Sequence, residues 1–292
     1  MKKFNIFILI FLCVLTNNTF ANNQTVVKQE IMVGYYGRPN IKSLGILGQN
    51  SIDDLIVKMR DVVSTYNVIE GISAKPTFHI IYDLATLEAG RDGDFIKPLG
   101  NDKLMEYIEV AQREDFAVII DLQLGANKPV DSIKKVLKYL KYDNVHLAID
   151  PEFKVPSDGR FAPGRFIGHV YGKDVNQIQK AMDDYIKENG ITTKRTLIVH
   201  MFTKRMLRKK QDVKNFENVN LVYNIDGHGM RGAKMKIYNS LYKEESQRVA
   251  KSGFKIFYKN DKKPLLTPRQ ILGIDNMGPL KLNSMPVYIN YQ

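Results

Sequence analysis

Eight short runs rich in β-branched and aromatic residues recur at near-regular intervals along the chain, and stretches with helical spacing of apolar residues separate them. The runs are Ile31–Tyr36, Thr77–Asp83, Phe116–Leu122, Val145–Asp150, Thr196–Met201, Val219–Asp226, Phe254–Tyr258 and Pro286–Ile289. Between them the spacing predicts helices over Ile52–Asn67, Asp102–Glu114, Pro129–Lys141, Asp174–Asn189, Lys204–Lys214 and Lys234–Ala250, with a short helix after Pro268. The strands are continuous apolar runs rather than alternating ones, as in a parallel sheet covered on both faces. A single-domain (β/α)8 TIM-like barrel over residues 31–292 fits the number of units and the length. An open doubly wound sheet is the alternative, but Gly34 and Gly37 after the first strand do not make a G-x-G-x-x-G phosphate loop.

The first 21 residues read as a secretory signal. Met1-Lys2-Lys3 gives a positive start, Phe4–Leu15 an apolar run of about 12 residues, and Thr19-Phe20-Ala21 a small-x-small cleavage pattern. Such a run is too short to span a bilayer, which needs roughly 20 residues. Residues 22–30 then form an N-terminal extension, and the expected location is secreted or periplasmic. The one cysteine, Cys13, lies in the signal, so thiol nucleophiles, thiolate metal sites and disulfides are excluded for the rest of the chain.

In an α/β barrel the chemistry sits at the C-terminal ends of the strands. Here those ends carry Asp83, then Asp121 and Gln123, then Asp150-Pro151-Glu152, then His200, then Asn224, Asp226 and His228. Residues two apart on a strand share a face, so Asp121 with Gln123, Asp150 with Glu152, and Asp226 with His228 point together. Ionised carboxylates are costly to bury singly, and a shared polar site at the barrel mouth accounts for several at once. Glu152 is the natural general acid, with Asp150 orienting it or sharing its proton. Asp121 or Asp226 across the barrel would serve as nucleophile or base. Tyr36, Gln123, His200 and His228 would hold substrate. His79 and His146 lie earlier in their strands and read as hydrogen-bonded core residues. The loop Val155–Arg165 is expected to border the site.

Asp150-Pro151-Glu152 resembles the D-x-E ending of the fourth strand in chitinase-type barrels, and the acidic pair at that place in Chalaropsis-type muramidases. The chitinase pattern has a further Asp where this chain has Ala148. Over its length the chain is similar to a group of uncharacterised secreted bacterial proteins of glycoside-hydrolase-like barrel form. It shares with them Tyr36-Gly37-x-Pro39, Leu44-Gly45-x-Leu47-Gly48, Asp121-Leu122-Gln123-x-Gly125, Asp150-Pro151-Glu152, His200-x-Phe202 and Asp226-Gly227-x-Gly229. The resemblance implies a secreted glycosidase acting on cell-wall or envelope polysaccharide, with Glu152 as proton donor. Two other readings stand beside it: a non-catalytic barrel that binds a glycan or another envelope component, and a metal-dependent hydrolase such as a phosphodiesterase or deacetylase. No H-x-H or H-E-x-x-H spacing marks a metal site, so no cofactor is expected, although strand-end Asp and His are compatible with a divalent cation. The net charge of +12 favours an anionic envelope partner. No zinc-finger or RNA-binding signature points to nucleic acid.

Overall fold

A computed structural model of the chain describes residues 28–158 and 160–292; the expected signal segment 1–21 lies outside them. The strands that build the barrel are β1 (Gln29–Gly37), β2 (Ile72–Ala85), β3 (Ala117–Gln123), β4 (Val145–Asp150), β5 (Arg195–Met201), β6 (Val219–Ile225), β7 (Lys251–Ile256) and β8 (Tyr288–Tyr291). Each pairs in parallel with the next, and β8 returns to β1, so the sheet closes on itself. The expected (β/α)8 barrel is the observed one. A three-residue antiparallel strand, Ile96–Pro98, is appended to the upper end of β2. No helix of the described residues is long and apolar enough to cross a membrane.

Closure divides the apolar residues into two layers. Ile119, Ala148, Ile198, Val222 and Tyr288 fill the barrel interior with Met32 and Val287. The opposite faces of the same strands, including Phe78, Ile120, Leu147, Leu197 and Phe254, pack under the helices. Helix α1 (Ile52–Asn67) shows how the chain builds this outer layer. The Ser51 side chain accepts from the Asp54 amide, Asp53 and Asp54 sit in the positive first turn, and Leu55, Met59, Val63 and Tyr66 are buried on one face. Helices α2 (Asn101–Arg113), α3 (Pro129–Lys134) and α4 (Gly172–Glu188) follow β2, β3 and β4.

The return from β5 to β6 differs from expectation. Residues 204–214 do not form a helix. They make short 3-10 turns at Lys204–Met206 and Lys210–Asp212, and Leu207–Arg208 pairs with Val170–Tyr171. Met206, Leu207 and Val213 are buried there, and Lys209 takes a left-handed conformation with φ 48°, which interrupts any helix between them. The basic run therefore decorates a loop. The predicted Lys234–Ala250 helix is two: α5 (Arg231–Leu241) and α6 (Glu244–Gln247), parted where Tyr242 leaves helical geometry. The helix after Pro268 is α7 (Pro268–Ile271). β1 begins at Gln29, inside the segment read as an extension.

β1 lies between β2 and β8, and at Gly34 its backbone approaches β2 so closely that a Cβ would stand 1.8 Å from the Thr77 carbonyl oxygen. Gly34→Ala should therefore cost about 3 kcal/mol or more, the upper end of overpacking penalties. A Cβ on Gly253 meets first the end of a side chain, Asn224 Oδ1 at 2.7 Å, which can turn aside. Urea midpoints of the two variants should separate clearly, with Gly34→Ala the lower.

Candidate active site

The inward side chains of the upper barrel form two tiers. In the lower tier His79 (β2), Asp121 (β3) and His200 (β5) meet on the barrel axis, all at 0% exposure. His79 Nε2 lies 3.4 Å and His200 Nε2 3.6 Å from Asp121 Oδ2, and the two Nε2 atoms are 3.4 Å apart. The outer nitrogens are engaged elsewhere: His79 Nδ1 with the Tyr288 hydroxyl at 2.5 Å, and His200 Nδ1 with Asp226 Oδ2 at 2.9 Å. Tyr36 sits edge-on over both imidazoles.

The upper tier is a cavity of about 420 Å³ whose polar wall is Tyr36, Asp150, Glu152, Asp226, His228 and Lys255. Phe153, Phe202 and Phe257 supply an apolar rim. The volume suits a small molecule. Lys255 Nζ lies 3.6 Å from the Tyr36 ring centroid and, among the described residues, has no carboxylate within 4.0 Å. A larger cavity, about 980 Å³, opens at the other mouth of the barrel. Its acids, Glu30, Asp115 and Asp143, are surface groups, the last two paired with Lys75 and Arg195. The smaller cavity lies at the end where barrel chemistry occurs.

The electrostatics follow from burial. Desolvation pulls His79 down to about 4 against the opposing pull of Asp121, so its imidazole is neutral. Burial also opposes charge on His200, but Asp121 and Asp226 outweigh it and raise its pKa. Burial alone would raise Asp121, and the two histidines more than reverse that. Asp150 is pushed up to about 8, by burial first, with His200 opposing and Asp121, Asp226 and Glu152 adding to the rise. Burial and then Asp226 raise Glu152. The mouth thus holds one carboxyl group, Asp150, that keeps its proton near neutral pH, and a second, Glu152, shifted in the same direction, beside the Lys255 ammonium.

The structure brings most of the predicted residues together, though not at one level. Asp150, Glu152, Asp226, Tyr36, Gln123 and His228 line the cavity. Asp121 and His200 do not; they lie in the sealed tier below it. Asp150 also accepts the Glu152 amide at 3.0 Å, so the pair is a local turn as well as a site element. Gln123 Oε1 accepts the Ala85 amide at 2.8 Å and ties β3 to β2. None of the described residues of the loop Val155–Arg165 lines the cavity; Val155 and Ala162 pack instead against Phe95 and Ala126. His79, read as core, is both hydrogen-bonded core and a member of the cluster. Lys255 was missed. Its signal is a lone lysine between Phe254 and Ile256 in an otherwise apolar strand.

A buried clamp holds this mouth in shape. Lys234 on α5 donates to the carbonyls of Gly227 at 2.7 Å and Lys255 at 2.8 Å, and pairs with Asp261 at 3.0 Å. Asp261 in turn accepts the amides of Gly229 and Phe257.

No family model matches the chain, and no curated protein does. Among solved structures, one of a "putative phosphonomutase" from Burkholderia cenocepacia J2315 is similar over 90% of this chain and 86% of that one, at 10% identity and a TM-score of 0.39. Likeness at that level transfers no activity. No glycoside hydrolase family model or curated glycoside hydrolase matches, and the geometry corrects the glycosidase expectation. A glycosidase needs a second carboxyl group facing the substrate opposite the acid. Of the two expected to fill that role, Asp121 is sealed under the cavity and Asp226 is engaged with His200. The carbohydrate and cell-wall assignments fall with it.

Two outcomes are expected. Lys234→Met leaves Asp261 charged and buried, and should lower stability by about 3–5 kcal/mol in denaturant unfolding. Asp150 has a folded pKa of about 8 against an ordinary value of 3.8, so the folded state binds the extra proton between them. Its contribution to stability therefore falls as pH rises from about 4 to about 8. Unfolding measured across that range should show a shallower decline in Asp150→Asn than in the wild type.

Proposed function

We propose that the protein is an enzyme of the barrel mouth, carrying out general acid–base chemistry on a small polar molecule that bears an anionic group. The observation that carries this reading is the pairing, inside one 420 Å³ cavity, of an ammonium group without an ion-pair partner among the described residues and two carboxyl groups, Asp150 and Glu152, whose affinity for a proton burial raises. Lys255, flattened over the Tyr36 ring, anchors the anionic group; a cation on a tyrosine face keeps its charge available to a ligand. Asp150 and Glu152 are then positioned to give or take a proton at the neighbouring atom, since an acid tuned toward neutrality is an effective donor and, once ionised, an effective base. Asp226, fixed by His200, shapes the field that raises both. Phe153, Phe202 and Phe257 limit water around the reacting group.

The test begins with a panel of small carboxylates and phosphate esters screened by thermal shift. At least one should raise Tm in the wild type, and the shift should shrink strongly in Lys255→Met. With a turned-over compound in hand, Glu152→Gln or Asp150→Asn should cut kcat by about 10²–10⁴, while Lys255→Met should act mainly through KM. Equal ligand shifts in wild type and Lys255→Met, or undiminished turnover in both carboxyl variants, would remove this reading.

A further inference from the structure

We infer that His79, Asp121 and His200 form a binding site for one divalent transition-metal ion of the zinc class, immediately beneath the cavity. The inference goes beyond the acid–base reading and does not depend on it.

Three observations carry it. The first is the shape of the donor set. His79 Nε2, His200 Nε2 and Asp121 Oδ2 make a triangle with edges of 3.4, 3.4 and 3.6 Å. Ligands at 2.0–2.1 Å around a tetrahedral ion stand about 3.3–3.4 Å from one another, so an ion of that size sits close to the centre of this triangle at ordinary bond lengths. The same edges are long for hydrogen bonds, whose N–H···O separations centre near 2.9–3.0 Å.

The second is the orientation of the imidazoles. Both present Nε2 to the centre, while both Nδ1 atoms face an oxygen behind them: a carboxylate for His200 and a tyrosine hydroxyl for His79. Metal-bound histidines almost always carry such a partner on the far nitrogen, which fixes the tautomer and directs the lone pair of the other nitrogen to the ion. With both Nδ1 atoms protonated, the two Nε2 lone pairs face each other across 3.4 Å, and a cation between them would satisfy both.

The third is the state of Asp121. Its side chain is wholly buried, and neither carboxylate oxygen has a hydrogen-bond partner. Buried carboxylates are ordinarily matched by donors or by an ion. A proton on His200 alone would answer part of the charge, but with Nδ1 of His79 protonated it leaves the His79 lone pair facing inward. An ion at the centre answers all three groups. Two imidazoles with one carboxylate favour zinc and its neighbours over magnesium or calcium, which prefer oxygen-rich shells.

The experiment uses the untagged protein, stripped with a strong chelator and then offered Zn²⁺, Co²⁺ or Mg²⁺ alone. The expected result is one Zn²⁺ or Co²⁺ per chain by elemental analysis, the visible absorption of tetrahedral Co²⁺, and a Tm rise of roughly 5–10 °C at a hundredfold excess over Kd. Mg²⁺ should do none of these. Asp121→Asn, nearly isosteric, keeps the fold and should lose the stoichiometric ion; His79→Gln provides a second variant from another strand. Absence of bound Zn²⁺ and Co²⁺, full occupancy in both variants, or a response to Mg²⁺ alone would overturn the assignment. Glu152→Gln and Lys255→Met should retain the ion, so a failure of the acid–base reading and a failure of the metal site give different results.

Discussion

A closed eight-stranded barrel has room along its axis for side chains and none for bulk water, so every polar group that points inward must be answered by another protein group. In the lower half of this barrel the constraint is met by making the interior apolar, with Ile119, Ala148, Ile198 and Val222. In the upper half the strands bring histidine, aspartate, asparagine and lysine inward instead. Asn224 reaches Asn290 and the His200 ring, Tyr288 reaches His79, and Asp226 reaches His200. Within this web single atoms of Asn224, Asp226 and Asn290 lack a partner, and Asp121 lacks one on both oxygens.

The charge pattern above it is a consequence. Asp121, Asp226, Asp150 and Glu152 are stacked within mutual reach, and desolvation is strongest at the bottom of the stack. The histidines favour the ionised form of Asp121, whereas Asp150 and Glu152 above it are raised by their own burial first and by the neighbouring acids second.

Much of the architecture was legible in the sequence because apolar runs and capped helices repeat with the period of the barrel unit. The alternation of side chains also put Asp121, Asp150, Asp226 and His200 on the inward face. What the sequence does not encode locally is depth. Height along the barrel axis depends on strand tilt and stagger, which are properties of the pairing between strands. β2 illustrates this: it continues to Ala85, past a register shift between Ile81 and Asp83, so His79 looks deep when counted from the strand end and yet lies level with Tyr36, its partner in register. The same ignorance of depth made Asp121 and His200 look like groups that touch substrate. The mistaken helix at 204–214 has another origin: a dense run of lysine and arginine suits a solvated helix and a solvated loop alike, the apolar positions 206, 207 and 213 fit either, and the left-handed Lys209 that breaks the segment leaves no mark in the sequence.

The Lys234 ammonium binds the carbonyl of Gly227 and that of Lys255 at once, with Asp261 locking both segments from behind. The arms that carry His228 and Lys255 are thereby coupled into a single stiff jaw. A rearrangement that widens the cavity would therefore have to carry His228 and Lys255 along together.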